Sequence, residues 1–194
     1  MLQAGSMIPV LLCVFAFALY LSNAGGVSIY ILDEAKNAGC AREMFEKGDL
    51  IVPTFNDVLR TDKPPLHYFF MMLGYSLFGV NPFAARFFSA VFGAATILLT
   101  FLFTRKHADG KTAALASLVL LASVHLSIQF HLAVPDPYLI FFLTAAFMSF
   151  YAALKEKKGR YLATLYLSVG LGSLSKGPVA MALPGLIFLL FLIF

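Results

Sequence analysis

A chain of 194 residues that is 60% hydrophobic and only 12% charged, with a mean hydropathy of +0.86, cannot hide its apolar surface in one soluble domain. Its solvent is largely lipid. The net charge of +4 does not point to a nucleic-acid partner, because the basic residues fall between apolar runs, where the positive-inside rule accounts for them.

The first apolar run, residues 8–22, lacks the basic flank of a signal peptide and is followed by further runs, so it is read as a retained span. An outer loop at 23–82 follows. Within it, residues 33–47 set Ala38, Ala41, Met44 and Phe45 on one side with charges elsewhere and Gly48 as a stop. That pattern predicts a helix lying in the membrane interface. Residues 66–78 predict a second one, since a helix of that length covers roughly 20 Å against a hydrocarbon core of roughly 30 Å. Pro64-Pro65 suits its start, Gly79 its stop, and Asn81-Pro82 the turn beyond.

Further spans are predicted near 83–103, 112–130, 138–154, 161–175 and 179–194. The last run is still open at Phe194, so the chain is expected to be the N-terminal part of a longer transmembrane domain. The fold class is all-α: a polytopic transmembrane helix bundle with interfacial helices in the first outer loop. Arg105, Lys106 and Lys111 fall in one short loop, and Lys155, Lys157, Lys158 and Arg160 in another two spans later. Both are expected on the cytoplasmic side. Most carboxylates then lie outside, with Asp109 and Glu156 inside, so the chemistry is one-sided. Cys13 lies in an apolar run and Cys40 in the outer loop, and no disulfide between them is expected.

Asp33-Glu34, just after the first span, offers a carboxylate near the lipid headgroups that could serve as a general base or cap a helix. In Asp62-Lys63-Pro64-Pro65 a rigid turn aims an acid and a base side by side. Asp136 stands between two prolines at a span boundary, and Lys176 lies in an otherwise uncharged stretch. Ionisable groups at such depth either serve function or cap and anchor helices. Arg86, near the outer end of a span, could reach a phosphate or the headgroups. His125, Gln129 and His131 do not have metal-site spacing. No phosphate-cradling glycine loop, nucleophile elbow or zinc spacing is present.

An ordered set of short motifs spans the chain: Asp33-Glu34-Ala35-Lys36, Ala41-Arg42-Glu43-Met44, Gly48-Asp49-Leu50-Ile51-Val52-Pro53, Asp62-Lys63-Pro64-Pro65-Leu66, Phe78-Gly79, Asp136-Pro137 and Ser175-Lys176-Gly177. In this set the chain resembles C-type membrane glycosyltransferases, especially the aminoarabinose transferase and protein mannosyltransferase family. The resemblance implies a sugar donor carried on polyprenyl phosphate and a lipid, glycan or protein acceptor. The site would lie on the non-cytoplasmic face of a bacterial-type inner membrane. It further implies Asp33 as catalytic base, Asp62 and Lys63 as organisers of the site, and Asp136 as their support. Glu34, Lys36, Lys176 and Arg86 would face substrate or phosphate. Lys36 stands where the family often has Arg, and Asp62 where it usually has Glu. Some members place a divalent cation near that acid, so a divalent cation is the one cofactor left open, its other ligands lying outside this chain. A transporter or flippase for a lipid-linked sugar is the alternative from another class; it asks for ionisable groups at midplane in broken helices and for repeats.

Overall fold

The structure, a computed structural model, describes residues 4–29 and 32–194; Tyr30 and Ile31 of the expected outer loop lie outside the described residues. Helix α1 (Ala4–Leu21) leads to α2 (Leu32–Lys47), a short hairpin of β1 (Thr54–Phe55) and β2 (Val58–Leu59), and α3 (Leu66–Phe78). Then come α4 (Pro82–His107), α5 (Gly110–Leu121), α6 (Val124–Phe130), α7 (Asp136–Glu156), α8 (Gly159–Lys176) and α9 (Val179–Ile193). Helices α2 and α3 form where the sequence predicts helices.

Among the described residues, α4 and α7 are each long and apolar enough to cross a membrane. The expected span at 112–130 is instead broken into α5 and α6, which meet at 69°. Ser123 explains the break, because its hydroxyl accepts from the Leu126 amide and starts a new helix in place of the old one. The apolar stretches Met7–Leu21 and Val179–Ile193 are short for unaided spans.

Two buried clusters hold the fold. In the first, Ala41 and Met44 of α2 pack on Tyr68, Met71 and Tyr75 of α3 and on Ala84 and Ala85 of α4. A second cluster joins Tyr20 of α1 to Ala90, Ala94 and Ile97 of α4 and Phe130 of α6. Helices α3 and α4 approach so closely that a Cβ on Gly74 would lie 2.3 Å from the Ala84 carbonyl oxygen, so only glycine fits. Phe70 stacks on Tyr138, ring centroids 5.1 Å apart, and so fastens α3 to α7.

The bundle has two chemically different ends. At one, Lys106 closing α4 pairs with Glu156 closing α7 and hydrogen-bonds the Tyr161 hydroxyl of α8. Both basic loops therefore meet on a single side. The opposite end carries α2, the hairpin, α3, the start of α7 and the end of α8.

Candidate active site

The site is built at this second end, starting from the first turn of α2. Carboxylates there are favoured by the helix dipole, and both Asp33 and Glu34 occupy it. They face different surroundings. Asp33 is half exposed, with its Oδ1 3.7 Å from Lys63 Nζ and 4.0 Å from an Arg60 terminal nitrogen. Glu34 is fully buried: it takes two hydrogen bonds from Arg86, at 2.8 and 2.9 Å, and a third from the Ala133 amide at 2.8 Å.

Arg86 completes this clasp by donating to the Ala24 and Val27 carbonyls at 2.7 and 2.6 Å. Glu34 and Arg86 are thus occupied with each other and with backbone, where the sequence reading set them toward substrate and phosphate. A carboxylate and a guanidinium that are buried demand such partners. The clasp ties α2 to α4 and to the turn that carries Asp136 three residues after Ala133.

The hairpin presents the next group. Asn56 and Asp57 both have positive φ, 54° and 61°, and link strands paired as Thr54 with Leu59 and Phe55 with Val58. This is a two-residue turn of the I′ kind, which Asn and Asp tolerate. Glu43 of α2 staples it, accepting from the Thr54 hydroxyl at 2.5 Å and the Asn56 and Asp57 amides at 2.6 and 3.3 Å. The Thr54 bond and the two amides outweigh burial and hold the Glu43 carboxyl below the 4.5 of a free glutamate. Because the folded value is the lower one, the staple stabilises the hairpin above pH 4.5 and is lost as pH falls through the depressed value. Protection of the amides of residues 54–59 against exchange, relative to intrinsic rates, should therefore be high at neutral pH and fall on acidification, whereas in a Glu43→Gln variant it should change little with pH. Identical profiles would mean the staple does not order the hairpin.

Arg60 follows the hairpin, and its Nε binds Asp62 Oδ1 at 2.7 Å. Partial burial pushes the Asp62 carboxyl up, but the Arg60 hydrogen bond and charge outweigh this and hold it below its ordinary range. Sequence reasoning missed Arg60; the available signal was a lone Arg two residues before the Asp62-Lys63 pair. Behind it, burial pushes the His67 imidazole down to about 3, so this ring against Tyr68 is a neutral packing group at physiological pH.

Asp136 opens α7, and Lys176, the last residue of α8, binds it at 2.5 Å. Gly177 then turns the chain at φ 81°, and a Cβ there would sit 3.8 Å from Pro64 Cγ. The Asp136–Lys176 pair is thereby set beside the Lys63-Pro64-Pro65 turn. Lys36, half-buried one turn beyond Asp33, has no ion pair among the described residues. His125 is exposed and His131 contacts the Ser127 carbonyl at 2.6 Å; neither joins this cluster.

The arrangement can accept a proton at the half-exposed Asp33 and offer ammonium groups of Lys63 and Lys176 to an anion. Among the described residues no three His, Cys, Asp or Glu side chains converge, and Asp62 already has a guanidinium at hydrogen-bond distance. No step below is routed through a metal.

The sequence profile of the family described as dolichyl-phosphate-mannose-protein mannosyltransferase matches residues 62–194. The chain belongs to this family. The chain is 34% identical over 181 residues to the undecaprenyl phosphate-alpha-4-amino-4-deoxy-L-arabinose arabinosyl transferase of Yersinia pestis (strain Pestoides F), covering 90% of this chain and 32% of that protein. An uncharacterized protein of Aquifex aeolicus (strain VF5) is 33% identical over 184 residues, covering 94% and 36%. The fold matches ArnT from Cupriavidus metallidurans bound to undecaprenyl phosphate with a TM-score of 0.86 at 26% identity, covering 94% of this chain and 35% of ArnT. The apo form of ArnT gives 0.88 at 25% identity, covering 98% and 36%. This mannosyltransferase-family chain thus spans about a third of the length of these relatives. It is an integral membrane protein with the expected all-α helix-bundle fold.

Proposed function

We propose that the full-length protein is a glycosyltransferase that moves a sugar from a polyprenyl-phosphate donor to a lipid, glycan or protein acceptor. The carrying observation is Asp33: a half-exposed carboxylate with Lys63 and Arg60 within 4.0 Å, at the end of the bundle away from the basic loops. Asp33 takes the acceptor proton, the freed nucleophile attacks the sugar C1, and polyprenyl phosphate leaves with the glycosidic bond electrons. Lys63, Lys176 and Lys36 stabilise the charge that develops on the phosphate, while Asp136 holds Lys176 toward it. The undecaprenyl phosphate in the ArnT structure supports this donor class.

The test uses undecaprenyl-phosphate 4-amino-4-deoxy-L-arabinose and dolichyl-phosphate mannose as probe donors, with a membrane extract supplying acceptor and released polyprenyl phosphate as readout. Lys63→Ala and Lys176→Ala should each lower the rate by about 10-fold or more. Wild-type rates in both variants would remove the ammonium groups from the reaction.

The site is further proposed to face the non-cytoplasmic side of a bacterial-type inner membrane, supported by the basic loops gathered at the opposite end. In a Cys13→Ala, Cys40→Ser background, Asn56→Cys should react with an impermeant thiol reagent added to intact cells and Lys157→Cys should not. The opposite labelling pattern would put the site in the cytoplasm.

A further inference from the structure

Arg60 is nearly buried, its side chain 10% exposed, and every part of it is used. Its backbone amide donates to the Pro53 carbonyl at 2.9 Å, which fixes the residue to the base of the hairpin. Of the guanidinium, Nε holds Asp62 Oδ1 at 2.7 Å, one terminal nitrogen donates to Cys40 Sγ at 3.5 Å, and the other lies 4.0 Å from Asp33 Oδ1. Cys40 is two turns along α2 from Asp33, so the two share a helix face. The guanidinium lies along that face and carries the contact across to the Asp62-Lys63-Pro64-Pro65 turn.

We infer that Arg60 is a positioning residue for transfer: its three-pronged guanidinium fixes the Asp33 carboxylate relative to the Asp62-Lys63 turn, and so fixes where Asp33 meets the acceptor proton. This rests on Asp33 being the base in the reaction proposed above. Asp33 and Asp62 both contact Arg60, and a cation shared by two carboxylates offsets their repulsion and holds them at a set spacing. Because Arg60 takes Asp62, Lys63 stays turned to Asp33 and to an incoming phosphate. A lysine at position 60 could not reproduce this, since an ammonium is a point charge without the planar fork that reaches three partners. Arg60 touches neither donor nor acceptor in this account; it acts through Asp33 and Asp62.

The experiment measures the rate of full-length wild type, Arg60→Lys, Arg60→Ala and Asp33→Asn with the two probe donors. Misplacing a base by about an ångström costs on the order of 100-fold in rate. Arg60→Lys and Arg60→Ala should therefore lose about 100-fold in kcat, while donor KM moves by less than about threefold, as for a group that does not bind the donor. Guanidinium ion in the buffer should restore part of the Arg60→Ala rate and none of the Asp33→Asn rate, a rescue that a misfolded variant would not show. A loss confined to KM, a wild-type kcat in Arg60→Lys, or no rescue of Arg60→Ala by guanidinium would each overturn the inference. Failure of the wild type itself to release polyprenyl phosphate would instead overturn the proposed transferase, and this inference with it.

Discussion

Asp33→Asn should lower transfer by about 100-fold or more, because removing a general base costs roughly 10²–10⁴ in rate. The substitution keeps the shape of the side chain in the first turn of α2. What it loses is the ability to take a proton and the negative charge beside Lys63 and Arg60. Protein level and thermal unfolding in detergent should stay close to wild type, since the side chain is half solvated and adds little to the packed core. Asp62 does not substitute for it, because its carboxylate is bound to Arg60 at 2.7 Å. Turnover near the wild-type value at equal protein level would show that Asp33 serves only the helix start.

The second large effect is on stability. Arg86→Met should destabilise the fold by about 3–5 kcal/mol, the cost of leaving a buried charge without its partner. Glu34 would then sit fully buried with only the Ala133 amide left of its three hydrogen-bond contacts. Glu34→Gln should be milder, since an amide oxygen keeps one acceptor for Arg86 or Ala133 but leaves the guanidinium charge uncompensated. The double variant Glu34→Met, Arg86→Met should recover only part of the loss. It removes both charges, yet strands the Ala133 amide and the Ala24 and Val27 carbonyls, each at about 1–3 kcal/mol if buried without a partner. Thermal unfolding monitored by loss of the monodisperse form checks all three. An Arg86→Met protein as stable as wild type would remove the clasp as the element that holds α2, α4 and the Asp136 turn together.

Glu34 and Arg86 also mark the limit of what the sequence discloses. The helix-forming segments were legible because apolar periodicity and Pro or Gly punctuation are local signals, as with Pro64-Pro65 and Gly79 around α3. The pairing of Glu34 with Arg86 spans 52 positions, and no local pattern distinguishes a buried partner from a substrate-facing charge. The α5–α6 break was equally hidden, because its apolar composition runs on through Ala122-Ser123 and only the Ser123 cap divides it. Asp33, Lys63, Asp136 and Lys176 were all named as candidates from the sequence. The resemblance implied one site for them, but no local pattern shows the contact that joins them, the Gly177 turn lying against Pro64. Arg60 was overlooked because a single Arg after a short hairpin resembles an ordinary solvated turn.

One comparison decides the donor class. Purified full-length protein, in mixed detergent and lipid that keeps the prenyl chain accessible, is offered each sugar in two forms: on polyprenyl phosphate and on a nucleoside diphosphate. A polyprenyl-phosphate sugar keeps its chain in the bilayer and brings its headgroup to the interfacial helices and their ammonium groups. The expected result is transfer from a polyprenyl-phosphate donor without added nucleotide. Turnover with the nucleotide sugar alone would contradict it.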